Sequence, residues 1–274
     1  MKNLIYQYWK GPLKPGVLAS TKLMKEYADR IGAEYRFDHN VEIASKTVDI
    51  PIYYEPANPL VHKSFDDYDN VALIDIDVFP VDGLTENLFD VLNGEDAGIC
   101  TEPEQPELRQ IYNVAGITNE NDNRWAKILK AKWGIEYTYD EKNRPLVYNT
   151  GVVVLSKAGI QKIRATWPSF QQYVNEMRAR NLPRFYTLFQ DYFSAFIHHP
   201  EFKFQAMHNG WNSYMHKVGS KPTARANDTR TPETKFVHIM FRTADDWPED
   251  ALWRVTNSPM DEWDLPVSPA WPND

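Results

Sequence analysis

Apolar positions along this chain follow two periods, and each change of period predicts a change of element. Leu4-Ile-Tyr-Gln-Tyr-Trp9 reads as a strand, ended by the breaker-rich Lys10-Gly-Pro-Leu-Lys-Pro-Gly16. From Val17, the residues Ala19, Leu23, Met24, Tyr27, Ala28 and Ile31 fall at helical spacing, with Gly32 as the stop. Ala33-Glu-Tyr-Arg-Phe37 follows as a second strand. Strand, helix and strand in this order predict a βαβ opening with a right-handed crossover and a parallel pair. Residues 38–59 show no clear period, and 60–68 read as a short helix. Val71-Ala-Leu-Ile74 is apolar without alternation, as a strand covered on both faces requires, and Pro80 closes that segment. A short helix at 86–92 and a strand at 97–101 come next. The polar, broken stretch 102–146 predicts a surface excursion with one amphipathic piece, Asn123–Trp133. Tyr148-Asn-Thr-Gly-Val-Val-Val-Leu155 is a second buried strand. Helical patterns cover 160–166, 169–180 and 188–197, and short strands 202–206 and 236–240. Residues 219–235 carry no apolar period and predict a long loop. Residues 243–274, rich in proline and tryptophan, predict an extended tail packed on the body through Trp263 and Trp271. With no internal repeat and no linker, 1–274 reads as one α/β domain.

The candidate chemistry begins where the first buried strand runs out. Asp75 and Asp77 follow Val71–Ile74, and residues two apart on a strand share a face, roughly 6–7 Å apart along the chain. Two carboxylates so close repel unless a cation, a proton or donors compensate, and a divalent metal bridging them to a phosphate is the economical solution. The carboxyl ends of strands are also where open α/β sheets bind ligands. In the second buried strand Gly151 marks either a simple bulge or a close approach of backbone or ligand.

Composition narrows the partners. Of 274 residues 42% are apolar and 14% aromatic, enough for a sizeable core, and the net charge of −8 opposes a nucleic-acid or anionic-membrane partner. A phosphate-bearing small molecule held by a metal is compatible with that charge. The single cysteine, Cys100, excludes an internal disulfide. The sequence shows no signal-length hydrophobic segment and no apolar run long enough to span a membrane, so the expectation is a soluble, cytoplasmic protein.

Taken in order, the βαβ opening, Tyr68-Asp-Asn-Val-Ala-Leu-Ile-Asp-Ile-Asp-Val78, Tyr148-Asn-Thr-Gly-Val-Val-Val-Leu155, Phe189-Gln-Asp-Tyr-Phe193, Trp211-Asn212 and Val237-His238 resemble the GT-A fold glycosyltransferases, in particular the retaining, glycogenin-like and bacterial galactosyltransferase-like group. The resemblance runs from about residue 3 to about residue 242 and implies an α/β fold with a Rossmann-like, mixed and mainly parallel sheet flanked by helices. It implies a hexosyltransferase-like enzyme that moves a sugar from a nucleotide sugar, UDP-linked in this group, to a glycan or other acceptor with retention. Asp75, Asp77 and His238 would hold Mn²⁺ or Mg²⁺, and imidazole beside carboxylate suits Mn²⁺ better. Gln190 and Asp191 would lie at the reacting sugar, or else cap a helix. The group often has a further Asp where this chain has Phe189, a departure that weighs against a carboxylate nucleophile. Asn149 and Thr150 would bind the donor sugar, and Tyr8 or Trp9 would stack on the base, unless both are core aromatics. Lys63 faces the donor or is a surface lysine. Lys217, Lys221 and Arg242 are candidates for the diphosphate, with the 219–235 loop as a lid, and Trp211 and Asn212 for the acceptor. Two other readings stand beside this one. A haloacid dehalogenase-like phosphatase would use Asp75 as nucleophile and Asp245-Asp246 as its metal pair. A non-catalytic sugar-binding module would keep the fold alone.

Overall fold

The computed structural model describes residues 1–44, 52–102, 116–218, 225–240 and 244–259. Strand β1 (Asn3–Trp9), helix α1 (Pro15–Arg30) and strand β2 (Glu34–His39) form the expected opening, with β1 and β2 parallel from Leu4 opposite Glu34 to Trp9 opposite His39. Pro15 occupies the first turn of α1, where its missing N–H and fixed φ cost nothing. Gly32, at φ +69°, takes the left-handed turn that stops the helix. After the short helix α2 (Asn58–Val61) come β3 (Asn70–Ile74), β4 (Val78–Pro80), β5 (Ala97–Thr101), α3 (Asn119–Trp133) and β6 (Tyr148–Ser156). Then follow α4 (Lys157–Thr166), α5 (Phe170–Ala179), α6 (Phe189–Phe196), β7 (Phe204–Met207), β8 (Ser213–Val218), β9 (Arg225–Asp228), β10 (Phe236–Ile239) and α7 (Glu249–Asn257).

The main sheet has the order β2-β1-β3-β6-β5-β7, parallel except for β6, which runs against both β3 and β5. A second sheet has the order β4-β10-β8-β9. The main sheet is covered on both sides, which explains its unalternating apolar strands. Val71 and Leu73 of β3, with Val153 and Leu155 of β6, belong to one core with α3, α5 and α6. Their neighbours Ala72, Ile74, Val152 and Val154 belong to another with α1.

Three expectations give way. The amphipathic piece of 102–146 is no surface excursion: α3 buries Trp125, Ala126 and Leu129, and the Trp125 Nε1–H donates to Tyr173 Oη at 2.9 Å. The 219–235 loop contains β9, paired with β8 from Met215 opposite Asp228 to Val218 opposite Arg225, a register of backbone bonds that needs no apolar alternation. The tail is not extended throughout. Pro248 stands at the N-cap of α7, whose Ala251, Leu252 and Val255 form a buried stripe, two of them packed with Ala19 of α1. Trp263 and Trp271 lie outside the described residues. No helix among the described residues is long and apolar enough to cross a membrane.

Candidate active site

Strand β3 stops at Ile74, one residue before the first candidate carboxylate. Asp75-Ile-Asp77 is therefore not the strand end that alternation predicted but the turn leading from the main sheet into β4 of the second sheet. The backbone of this turn is held on several sides. The Asp75 N–H donates to Gly151 O at 2.9 Å, and its carbonyl accepts from Val78 N at 3.2 Å and from Gln7 Nε2 at 3.1 Å. The Asp77 carbonyl accepts from Ile239 N at 2.8 Å. Gln7, fully buried in β1, also donates to Ser20 Oγ and accepts from Tyr35 Oη, so it ties α1 and β2 to the turn. Sequence reasoning placed Gln7 in a strand and missed this role. Its signal was a lone amide inside an apolar strand, which when buried must find partners.

His238 reaches the turn from β10, where it pairs with Val78 of β4 on one side and Tyr214 of β8 on the other. Its Nε2 lies 3.2 Å from Asp77 Oδ1, and Nδ1 lies 3.1 Å from Asn212 Oδ1. Ligand atoms from Asp75, Asp77 and His238 all fall within 4.8 Å of one another. The electrostatics are those of an uncompensated cluster. Desolvation, with the charge of Asp77 beside it, pushes the Asp75 carboxyl up to about 7. Burial pulls the His238 imidazole down, but the charge and hydrogen bond of Asp77, with the charge of Asp75, outweigh it and leave it above its ordinary range. Two carboxylate oxygens and an imidazole nitrogen converging on one point, with a second imidazole nitrogen engaged by an amide, fit a divalent cation.

A cation binding here would have to displace these protons. Asp75 must lose one whenever the pH lies below about 7, and a protonated His238 must lose another. Cation affinity is thus expected to weaken as pH falls through 7, by about tenfold per unit for each proton displaced. Calorimetric titration of Mn²⁺ at pH 6 in buffers of different ionisation enthalpy checks this, and binding without proton release would contradict it.

Gly151 explains itself against this cluster. A Cβ there would meet His238 Cε1 and Nδ1 at 2.6 Å and Asn149 Oδ1 at 2.8 Å. The glycine also sits in a bulge of β6: β5 steps from Ile99 to Cys100 while its partner steps from Val153 to Asn149. The bulge is present, and what approaches the glycine is neither backbone nor ligand but the His238 ring.

The remaining candidates divide. Asn149, 4% exposed, donates from Nδ2 to Gln190 Oε1 at 2.9 Å. Gln190 stands half-buried in the first turn of α6, and one turn on Ser194 clasps the start of β6 by accepting from Tyr148 N and donating to Tyr148 O. Asp191 is fully buried, and its charge acts on Tyr173 of α5. Neither side chain caps the helix, whose N-cap is Leu188. Thr150 is half-buried beside Asn149. Asn212 and Trp211 are both buried. Asn212 is wholly buried between Asn149 and His238, and Trp211 is a core residue packed edge-to-face on Phe236 at 5.3 Å. Tyr8 is 8% exposed within the main core, its hydroxyl without a hydrogen-bond partner among the described residues, and Trp9 donates to Pro12 O. Lys63 is exposed in a turn after α2. The side chain of Lys217, and Lys221 and Arg242, lie outside the described residues. Asp245 and Asp246 are ion-paired with Lys14 at 2.8 and 3.1 Å and take no part in the cluster, which removes the metal pair a dehalogenase-like phosphatase needs.

No protein-family model and no curated protein matches the chain. Solved structures do. Mouse xyloside xylosyltransferase 1 aligns over 87% of this chain and 97% of its own, with 12% identity and a TM-score of 0.51. A glycosyltransferase involved in glycosylation of the major capsid of PBCV-1 aligns over 92% and 98%, with 12% identity and a TM-score of 0.49. The galactosyltransferase LgtC, solved with donor and acceptor sugar analogs, aligns over 94% and 98%, with 14% identity and a TM-score of 0.47. With its mixed, mainly parallel sheet and flanking helices, the chain has a GT-A-like glycosyltransferase fold.

Proposed function

We propose that the protein is a cation-dependent glycosyltransferase that takes a sugar from a nucleotide-sugar donor, UDP-linked by preference, and passes it with retention to a hydroxyl of a glycan or other acceptor. The observation that carries this reading is the convergence of Asp75, Asp77 and His238 within 4.8 Å at the carboxyl end of β3. These three would hold Mn²⁺ or Mg²⁺, which when bound supplies a Lewis acid that neutralises charge on the diphosphate leaving group. The chain's own contribution is positioning. Gln7, Gly151 and Ile239 fix the turn, Asn149 orients Gln190, and Gln190 meets the sugar. The anomeric carbon–oxygen bond to the diphosphate breaks while a bond to the acceptor oxygen forms on the same face, and the acceptor's proton passes to a diphosphate oxygen. The full burial of Asp191 and the Phe189 before Gln190 favour this same-face reaction over a double displacement through a carboxylate of α6.

Calorimetric titration of UDP in the presence of Mn²⁺ tests the reading. Saturable binding abolished by a chelator is expected; silence from UDP, GDP, CMP and dTDP alike overturns it. Gln190→Ala should leave cation-dependent nucleotide binding within about twofold while lowering turnover of the UDP-sugar that the native protein uses, by about 10²–10³-fold, the range for loss of one preorganised polar group at a reacting centre. Equal loss of binding and turnover would assign Gln190 to the fold instead.

A further inference from the structure

Four side chains form an unbroken relay from the cation cluster to the proposed reacting centre. His238 Nδ1 meets Asn212 Oδ1 at 3.1 Å, Asn212 Nδ2 donates to Asn149 Oδ1 at 2.8 Å, and Asn149 Nδ2 donates to Gln190 Oε1 at 2.9 Å. Each amide could in principle be turned end for end, since oxygen and nitrogen are close in size. One contact removes the ambiguity. The backbone N–H of Gly151 also points at Asn149 Oδ1, at 2.8 Å, and a backbone N–H can only donate. The atom it meets must be the Asn149 oxygen. Everything else follows in both directions. Toward the cation cluster, the group facing that oxygen must be the Asn212 NH₂, so the Asn212 oxygen faces His238, Nδ1 carries the proton, and Nε2 is the nitrogen left for a cation. Toward α6, the Asn149 NH₂ must face Gln190, so the Gln190 oxygen is consumed inside the protein. The Gln190 NH₂ forms no hydrogen bond among the described residues, and the residue is half-buried.

We propose that Gly151 N–H sets the polarity of this relay and that Gln190 therefore acts on the substrate as a hydrogen-bond donor through Nε2, with its oxygen withheld. The inference rests on the glycosyltransferase reading for the identity of the substrate, whose hydroxyl or phosphate oxygens would accept from that NH₂, but the polarity does not. Asn149, Asn212 and Gly151 are positioning residues in this scheme. Gln190 meets the substrate.

Side-chain amide NMR on the native protein, without cation or nucleotide, decides the polarity. The NH₂ signals of Asn149 and Asn212 should be protected from solvent exchange and those of Gln190 should exchange freely, Gln190 being assigned by its disappearance in Gln190→Glu. A protected Gln190 NH₂ means that it donates inward, and overturns the proposal. Turnover supplies the second arm. Gln190→Glu keeps an oxygen toward Asn149 but presents a carboxylate oxygen to the substrate, so turnover should fall at least 100-fold with cation-dependent UDP affinity held within threefold. Turnover within threefold of native would assign the work to an outward oxygen and sink the donor role. Asn149→Asp keeps the oxygen that receives Gly151 and Asn212 but forces Gln190 to turn its NH₂ inward, and should lower kcat while cation affinity does not fall, the added negative charge favouring the ion. If the native protein transfers no sugar, the function proposed above fails while the exchange data still report the relay.

Discussion

Asp77→Ala should abolish cation-dependent binding of a nucleoside diphosphate while leaving the protein folded. Asp77 is 40% exposed at its side chain and contributes no apolar packing, so its removal leaves no cavity in either core. What it removes is one of three candidate ligands and a charge that, beside desolvation for Asp75, raises both Asp75 and His238. With one carboxylate left, Asp75 and His238 both move back toward their ordinary ranges, and the cluster loses the concentrated negative charge that favours a divalent ion. In the native protein a cation at about 100 times its Kd should add about 2.7 kcal/mol of stability, or on the order of 5 °C in Tm for a domain of this size. The variant should show no such rise. Differential scanning fluorimetry with Mn²⁺ and UDP reads both outcomes, and an undiminished rise in Asp77→Ala would remove the cluster from the metal site.

Gly151→Ala is the second large effect, and it acts without touching a ligand. The backbone there needs no left-handed conformation, so the alanine costs nothing in φ and ψ. The cost is space: the new methyl group would stand 2.6 Å from two atoms of the His238 ring and 2.8 Å from Asn149 Oδ1. The ring cannot retreat, because β10 is paired to β4 and β8 on either side. Either the imidazole tilts and the ligand geometry is lost, or the β6 bulge opens and the Gly151 carbonyl leaves the Asp75 N–H. Both routes predict a drop in cation affinity of about 10- to 100-fold, as for other disturbances of the groups that orient a ligand, with a stability cost of about 1–3 kcal/mol for overpacking. Titration with Mn²⁺ and thermal unfolding separate the two quantities. Native cation affinity in this variant would mean that His238 is not a ligand.

Much of this was legible from the chain. Runs such as Val71–Ile74 and Val152–Leu155 read as strands covered on both faces, and they are. His238, flanked by Val237 and Ile239, was legible only through the ordered series of motifs, since a lone histidine on an apolar strand has no signature of its own. What the sequence hid was direction. Alternation placed Asp75 and Asp77 on a strand, but the chain turns at Ile76 because Val78–Pro80 pairs with β10, a contact about 160 residues distant that no local pattern encodes. Asn212 and Trp211 look like surface-binding residues by type, and only tertiary packing reveals one as a buried link and the other as core. The strand β9 and helix α7 were obscured for a related reason: backbone pairing forms one, and a stripe of only a few apolar residues the other.

The turn Asp75-Ile-Asp77 is a seam between two sheets, and the three candidate ligands lie on both sides of it: Asp75 follows a strand of the larger sheet, and His238 belongs to the smaller. Binding at a seam and docking across it are two descriptions of one free energy. If a cation binds there, any contact that shifts the smaller sheet, through α7 packed on α1 or through the β8–β9 pair, would alter cation affinity, and by reciprocity cation binding would alter those contacts by the same factor. In the proposed function the small sheet is thus a lever on the chemistry, through the candidate ligand that β10 places at the seam.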